Sequence, residues 1–237
     1  NLAVSIARNK SAESVALVDM NMLFGDIPIF LALKPTYHWG EITKDISRLD
    51  ATFLMNILSK HSSGIHVLPS PSHLNGTQAV TPEIMEHLLD LMRGMFDFVV
   101  IDGGQSLNES SLRVLEISDN ILLVSLLSLP YLSNTNKLLT SFNKFSYLPK
   151  DRVKIVINRY LKKSQVSLED AEEAINKKVF WTIPNDYKTT MAAINQGKAL
   201  PQFAEKSAVA KNLKELAATL IQKEEKKSKQ GWSLFKK

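Results

Sequence analysis

The sequence has 237 residues, 44% of them apolar and 22% charged, with no cysteine. That balance suits a globular chain able to bury a full core. Without cysteine there are no disulfides, thiolate metal sites or cysteine nucleophile, which fits the cytoplasm. The net charge is +5, and residues 223–237 hold six Lys against two Glu, so +4 of the +5 lies in that segment. The nearly neutral remainder argues against a nucleic-acid-binding body. No apolar run reaches the roughly 18–20 residues needed to cross a bilayer.

"NLAVSIARNK" opens the chain. Leu2, Val4, Ile6 and Ala7 followed by Arg8 and Lys10 read as the closing turns of a helix, because cations suit its negative end. Six short apolar runs come next: 14–19 (SVALVD), 64–69 (GIHVLP), 96–102 (FDFVVID), 120–125 (NILLVS), 153–158 (VKIVIN) and 179–184 (VFWTIP). Nearly unbroken, β-branched runs of this length are what strands covered on both faces require. Helical patterns lie between them, at 81–95, 106–118, 128–142 and 167–176, with a last one over about 206–226. Thr81 and Pro82 mark one helix start, and Ser167 with Asp170 forms a capping box at another. Such alternation predicts an open α/β fold with a mainly parallel sheet flanked by helices. Neither an internal repeat nor a long linker divides 1–222, which is read as one body followed by a basic tail at 223–237.

Ligands of such sheets bind at the carboxyl ends of the strands. The residues there are Asp19, Asp102, Ser125, Asn158 and the run Pro184-Asn185-Asp186. Two carboxylates at two strand ends suit a hydrated Mg²⁺, which takes one or two carboxylates plus phosphate oxygens. An Asp after a strand also starts turns and caps helices, but both of these end a four-residue apolar run, which favours function. His38, His61, His66, His73 and His87 have no metal-ligand spacing and read as surface or loop residues. Ser125 and Ser128 lack a His–Asp partner pattern, so no hydrolase triad is indicated. No G-x-G-x-x-G follows a strand, which argues against a dinucleotide dehydrogenase.

The stretches VALVDMNMLFGDIPIFLAL, FDFVVIDGGQSLNESSLRVLEISDNILLVSLLSLPYLSNTNKLL, VKIVINRY and IPNDYKTTMAAINQGKAL resemble the MinD/ParA superfamily of deviant Walker ATPases, a P-loop NTPase-like fold. RLDATFLMNILSKHSSGIHVLPSP further resembles its CpaE/TadZ branch, the localisation ATPases of Tad-type pilus assembly. In that family the segment matching NLAVSIA follows a Gly-rich phosphate-binding loop, whose N–H groups cradle the nucleotide phosphates. The resemblance implies that this loop and the strand before it lie outside this sequence.

The resemblance also implies roles. Asp19 matches the first acidic residue of switch I, near Mg²⁺ and the attacking water. The family often has a second Asp two residues on; here it is Asn21, which cannot take up a proton as a carboxylate does, so slow hydrolysis is implied. Asp26 matches an acidic position of the pilus branch, with a plain turn as the alternative. Asp102 matches the Walker B Asp, which binds Mg²⁺ through water. It is followed by Gly103 and Gly104, either for close approach to phosphate or as a flexible turn. Asn158, with Arg159 after it, matches the position that meets the adenine edge, and Pro184, Asn185 and Asp186 match the loop over the base. As alternatives, Asn158 caps a turn and Pro184 ends a strand.

The tail, KEEKKSKQGWSLFKK, combines six Lys with Trp232, Leu234 and Phe235, a composition suited to anionic membrane surfaces; the alternative is a frayed terminus. Taken together, the resemblance implies an ATP- and Mg²⁺-dependent homodimer that recruits pilus secretion machinery. Such a protein would be cytoplasmic and peripheral to the inner membrane. The alternatives are a non-hydrolysing adaptor of the same machinery and a cell-division or partitioning ATPase.

Overall fold

The computed structural model describes residues 1–10, 12, 14–21, 25–44, 46–71, 80–104, 107–144 and 151–233, the stretch 223–233 by backbone alone. His73 and the tail side chains, Trp232, Leu234 and Phe235 among them, lie outside the described residues.

In chain order the elements are α1 (Leu2–Ala7), β1 (Val15–Asp19), α2 (Ile27–Phe30), α3 (Trp39–Lys44), a 3-10 turn (Ile46–Arg48), α4 (Ala51–Ile57), β2 (Ser59–Lys60), β3 (His66–Leu68), α5 (Pro82–Met95) and β4 (Phe98–Asp102). There follow α6 (Glu109–Ile117), β5 (Ile121–Ser125), α7 (Leu129–Lys144), β6 (Val153–Tyr160), α8 (Leu168–Ile175), β7 (Val179–Pro184), α9 (Tyr187–Asn195), α10 (Leu200–Phe203) and α11 (Ala208–Ser233). They form two compact units, one of Asn1–Ser111 with Thr190–Lys237 and one of Leu112–Thr189.

The first unit holds a four-stranded sheet in the order β2-β3-β1-β4. β1 runs parallel to both β3 and β4, and β2 is antiparallel to β3. All five residues of β1 are buried, the reason this run shows no polar alternation. Its core joins Val4 and Ile6 of α1 to Val15 and Leu17 of β1, Val67 of β3 and Ala217 and Ile221 of α11. A helix of six residues does not persist alone in water; α1 holds because Ala3 to Ile6 are all buried in this core. The second unit is a parallel sheet, β5-β6-β7. Ile155 and Ile157 of β6 are fully buried and pack with Leu139 and Phe142 of α7 and Ala171 and Ile175 of α8.

The expected helix starts are present. Thr81 Oγ1 accepts the Ile84 N–H at 3.4 Å. Ser167 Oγ accepts the Asp170 N–H at 3.0 Å while the Asp170 carboxylate accepts the Ser167 N–H at 3.1 Å. The last helix is longer than expected, 208–233, and it starts where Ser207 Oγ accepts the Ala210 N–H. One histidine departs from the surface-or-loop expectation: His66 lies within β3 with its ring 5.5 Å from that of Phe96. His61 lies in a loop as expected, buried there to 7% exposure with its ring held by Ser63 Oγ at 2.7 Å. β6 also continues past Asn158 to Tyr160, through an irregularity in its pairing with β7. Among the described residues no helix is long and apolar enough to cross a membrane.

The capping box yields a simple test. Ser167→Ala should lower stability by about 1 kcal/mol, the usual loss with an N-cap hydroxyl, read as a lower urea midpoint at unchanged slope.

Candidate functional site

β1 and β4 pair residue for residue, from Val15 beside Phe98 to Asp19 beside Asp102. Neighbouring strands lie about 4.8 Å apart, so two carboxylates stand abreast at the carboxyl ends of adjacent parallel strands. The Met20 N–H donates to the Asp102 carbonyl at 2.9 Å and carries the pairing one residue past β1.

The two acids occupy opposite environments. Asp19 is 1% exposed and Asp102 is exposed. The Asp19 carboxylate accepts the Asn21 N–H on Oδ1 at 3.0 Å and the Ser70 hydroxyl on Oδ2 at 3.4 Å, and the Ile27 N–H as well. Its carbonyl accepts the indole N–H of Trp39 at 2.7 Å. Burial pushes the Asp19 carboxyl above the usual range, and the nearby Asp102 adds to this, while the three hydrogen bonds oppose it. Asp102 Oδ1 accepts the Gly104 N–H at 3.3 Å. Gly104 has φ +62°, and a Cβ built there would meet Asn21 Cα at an ordinary 3.5 Å. Glycine is therefore favoured at 104 by backbone conformation and not by crowding. Asp26 is exposed and opens α2 through its carbonyl, which accepts the Phe30 N–H at 3.0 Å. Its side chain makes no cap bond there.

A divalent ion would find Asp102 as the exposed donor, with Asp19 behind it already engaged in holding the chain. That set fits Mg²⁺, which fills most of its shell with water and phosphate oxygens. Among the described residues no group of three or more His, Cys, Asp or Glu side chains is placed to chelate a metal.

In the second unit the expected base-binding residues come together at the carboxyl ends of β6 and β7. Tyr160 pairs with Pro184, and the Asn185 N–H donates to the Tyr160 carbonyl at 3.0 Å. Just before this contact Asn158 Oδ1 accepts the Arg159 N–H at 2.9 Å, and Arg159 takes φ +52°. A non-glycine residue in the left-handed region is strained; here it lets the strand pass the irregularity and rejoin β7. One Asn158 lone pair is thus committed to the backbone, which orients the amide. Asp186 Oδ1 accepts the Thr189 N–H at 3.2 Å in the first turn of α9. Ser125 is 2% exposed and bonded to Thr135 Oγ1 at 2.9 Å, a packing role.

Trp39 and Ser70, both in contact with Asp19, were not anticipated from sequence. Ser70 lies in a stretch matched to the pilus branch, and no periodicity marks either residue.

The raised carboxyl of Asp19 sets a pH dependence. Between the ordinary value and the raised one, the folded chain keeps a proton that the unfolded chain has lost. Its contribution to stability is therefore fully present below that window and declines as pH rises through it. Urea unfolding across the acidic range should show this slope in the parent chain and a flatter profile in Asp19→Asn. Gly104→Ala should destabilise by about 1 kcal/mol from the left-handed backbone, measured by the same method.

No protein-family profile matches the chain. An uncharacterised ATP-binding protein of Methanocaldococcus jannaschii is 27% identical over 127 residues, 52% of this chain and 45% of its own length, so the match spans under half of that relative. Among solved structures, a ParA family ATPase from Chlorobium tepidum TLS is similar with TM-score 0.85 and 24% identity, over 92% of this chain and 90% of that one. The septum site-determining protein MinD of Pyrococcus horikoshii OT3, complexed with Mg-ADP, is similar with TM-score 0.75 and 16% identity, over 92% and 87% of the two chains. MinD in the MinC:MinD cell division complex of Aquifex aeolicus gives TM-score 0.76 and 16% identity, over 93% and 88%. The chain has the fold of the ParA/MinD ATPases, mixed α/β with parallel sheets flanked by helices.

Proposed function

We propose that this chain belongs to a MinD/ParA-type ATPase, a switch that binds ATP with Mg²⁺, and that it acts as a localisation factor in Tad-type pilus assembly. The observation that carries the reading is the pairing of Asp19 with Asp102 at the ends of two adjacent parallel strands. An ATP-binding relative and a structural neighbour holding Mg-ADP support the choice of ligand. The pilus assignment rests on the sequence resemblance.

On this reading Asp102 holds the hydrated Mg²⁺, which supplies charge neutralisation to the phosphates when bound. Asp19 fixes the chain beside it. Asn21 stands where a second carboxylate would take a proton from water, so turnover is slow. Asn158 and Arg159, with the Pro184–Asp186 loop, receive the base. Nucleotide binding favours a homodimer, and the dimer brings together two tails at 223–237. Each Lys close to an anionic lipid surface is worth about 1 kcal/mol, and pairing two weak anchors raises avidity by orders of magnitude. Asn21 also favours a second reading, a non-hydrolysing adaptor of the same machinery. A cell-division or partitioning ATPase is a third, and the near-neutral body disfavours one that works on DNA.

Calorimetry on the intact protein should show ATP binding that Mg²⁺ strengthens, and Asp102→Asn should remove the strengthening. Asn21→Asp should raise turnover at least several-fold if the protein is a switch and leave it at zero if it is an adaptor. Absence of any nucleotide binding by the intact protein would falsify both. Removing residues 229–237 should abolish co-sedimentation with anionic liposomes; unchanged sedimentation would eliminate the membrane role.

A further inference from the structure

We propose that Trp39, Ser70 and Gly25 are positioning residues that clasp Asp19 and so hold Asn21 and Ile27 in place beside the acidic strand tips. The inference rests on the reading of those tips as a Mg²⁺–nucleotide site.

Three separate stretches of chain converge on Asp19. The residues after β1 give the Asn21 and Ile27 N–H groups to its carboxylate. The segment after β3 gives the Ser70 hydroxyl, and α3 gives the Trp39 indole N–H to the Asp19 carbonyl. Trp39 also ties two of these stretches to each other, because its own N–H donates to the carbonyl of Pro69, next to Ser70. Trp39 is 1% exposed and Ser70 6%. Losing one partner of a contact so shielded from water leaves the other buried and less well satisfied. Gly25 closes the clasp from the remaining side. A Cβ built there would overlap the Ser70 hydroxyl and lie 2.7 Å from Asp19 Oδ2, so the backbone passes directly over the Ser70–Asp19 bond and no side chain fits.

The clasp reaches the second acid through Asn21. Its N–H is held by Asp19, and its Cα faces Gly104 in the turn after Asp102. Loosening Asp19 therefore shifts Asn21 against the turn that presents the exposed carboxylate. Loss of a residue that merely stabilised the fold would lower the melting temperature without selecting for metal. A positioning residue changes what Mg²⁺ adds to nucleotide binding.

The test is calorimetry of the intact protein with ATP, with and without Mg²⁺, alongside circular dichroism. Ser70→Ala should cut the Mg²⁺-dependent gain in ATP affinity about tenfold, the scale of one hydrogen bond to a charged group. Metal-free ATP affinity should stay as in the parent. Gly25→Ala, which crowds the same bond, should act in the same direction. Should Ser70→Ala not fold, Trp39→Phe, which keeps an aromatic ring and removes the indole N–H, is read in the same way. A folded variant with the full Mg²⁺ gain overturns the clasp and leaves the proposed function standing. An intact parent protein that binds no ATP overturns both.

Discussion

The register between β1 and β4 is the constraint on which the rest depends. Both faces of β1 are covered, since all five of its residues are buried. A slip of one residue would exchange the side chains packed on its two sides and carry Asp19 out of level with Asp102. The apolar run therefore does two things: it builds the centre of a sheet, and it delivers Asp19 level with Asp102. Packing chosen by Val15 and Leu17 at one end decides where charge sits at the other.

Two identical residue types then diverge through their surroundings. One aspartate is enclosed and saturated with donors, and its neighbour faces solvent and accepts one bond from Gly104. Environments that separate paired acids in this way also divide their labour. The enclosed one shapes backbone, and the open one is available to a ligand. The second unit follows a related logic with neutral groups, since Asn158 binds its own chain at Arg159 and the following loop is stitched to Tyr160.

What could be read from sequence followed from the range of the interactions involved. Strands declare themselves here as continuous apolar runs, and the six proposed runs correspond to β1 and β3 to β7, of which β1 is buried throughout while β4 and β7 are only half-buried. The Ser167–Asp170 box was legible because both partners lie within three residues. β2 has two residues and no period to detect. The left-handed Arg159 arises from a pairing irregularity with β7, which local propensity does not encode. The Asp19 tip was found because it ends a run. The groups that hold it were not, since Ser70 is 51 residues away and Trp39 is 20 residues away along the chain. The burial of His61 was missed for a similar reason, because a histidine in a Ser-Ser-Gly loop carries no mark of what packs over it.

The size of β2 has a consequence for solubility. It forms one border of its sheet and consists of Ser59 and an exposed Lys60. A border this brief, ending in an ammonium group, offers a foreign strand little ladder to extend and a desolvation penalty for trying. The shortest strand among the described residues thus works as a gatekeeper against cross-chain association on that flank.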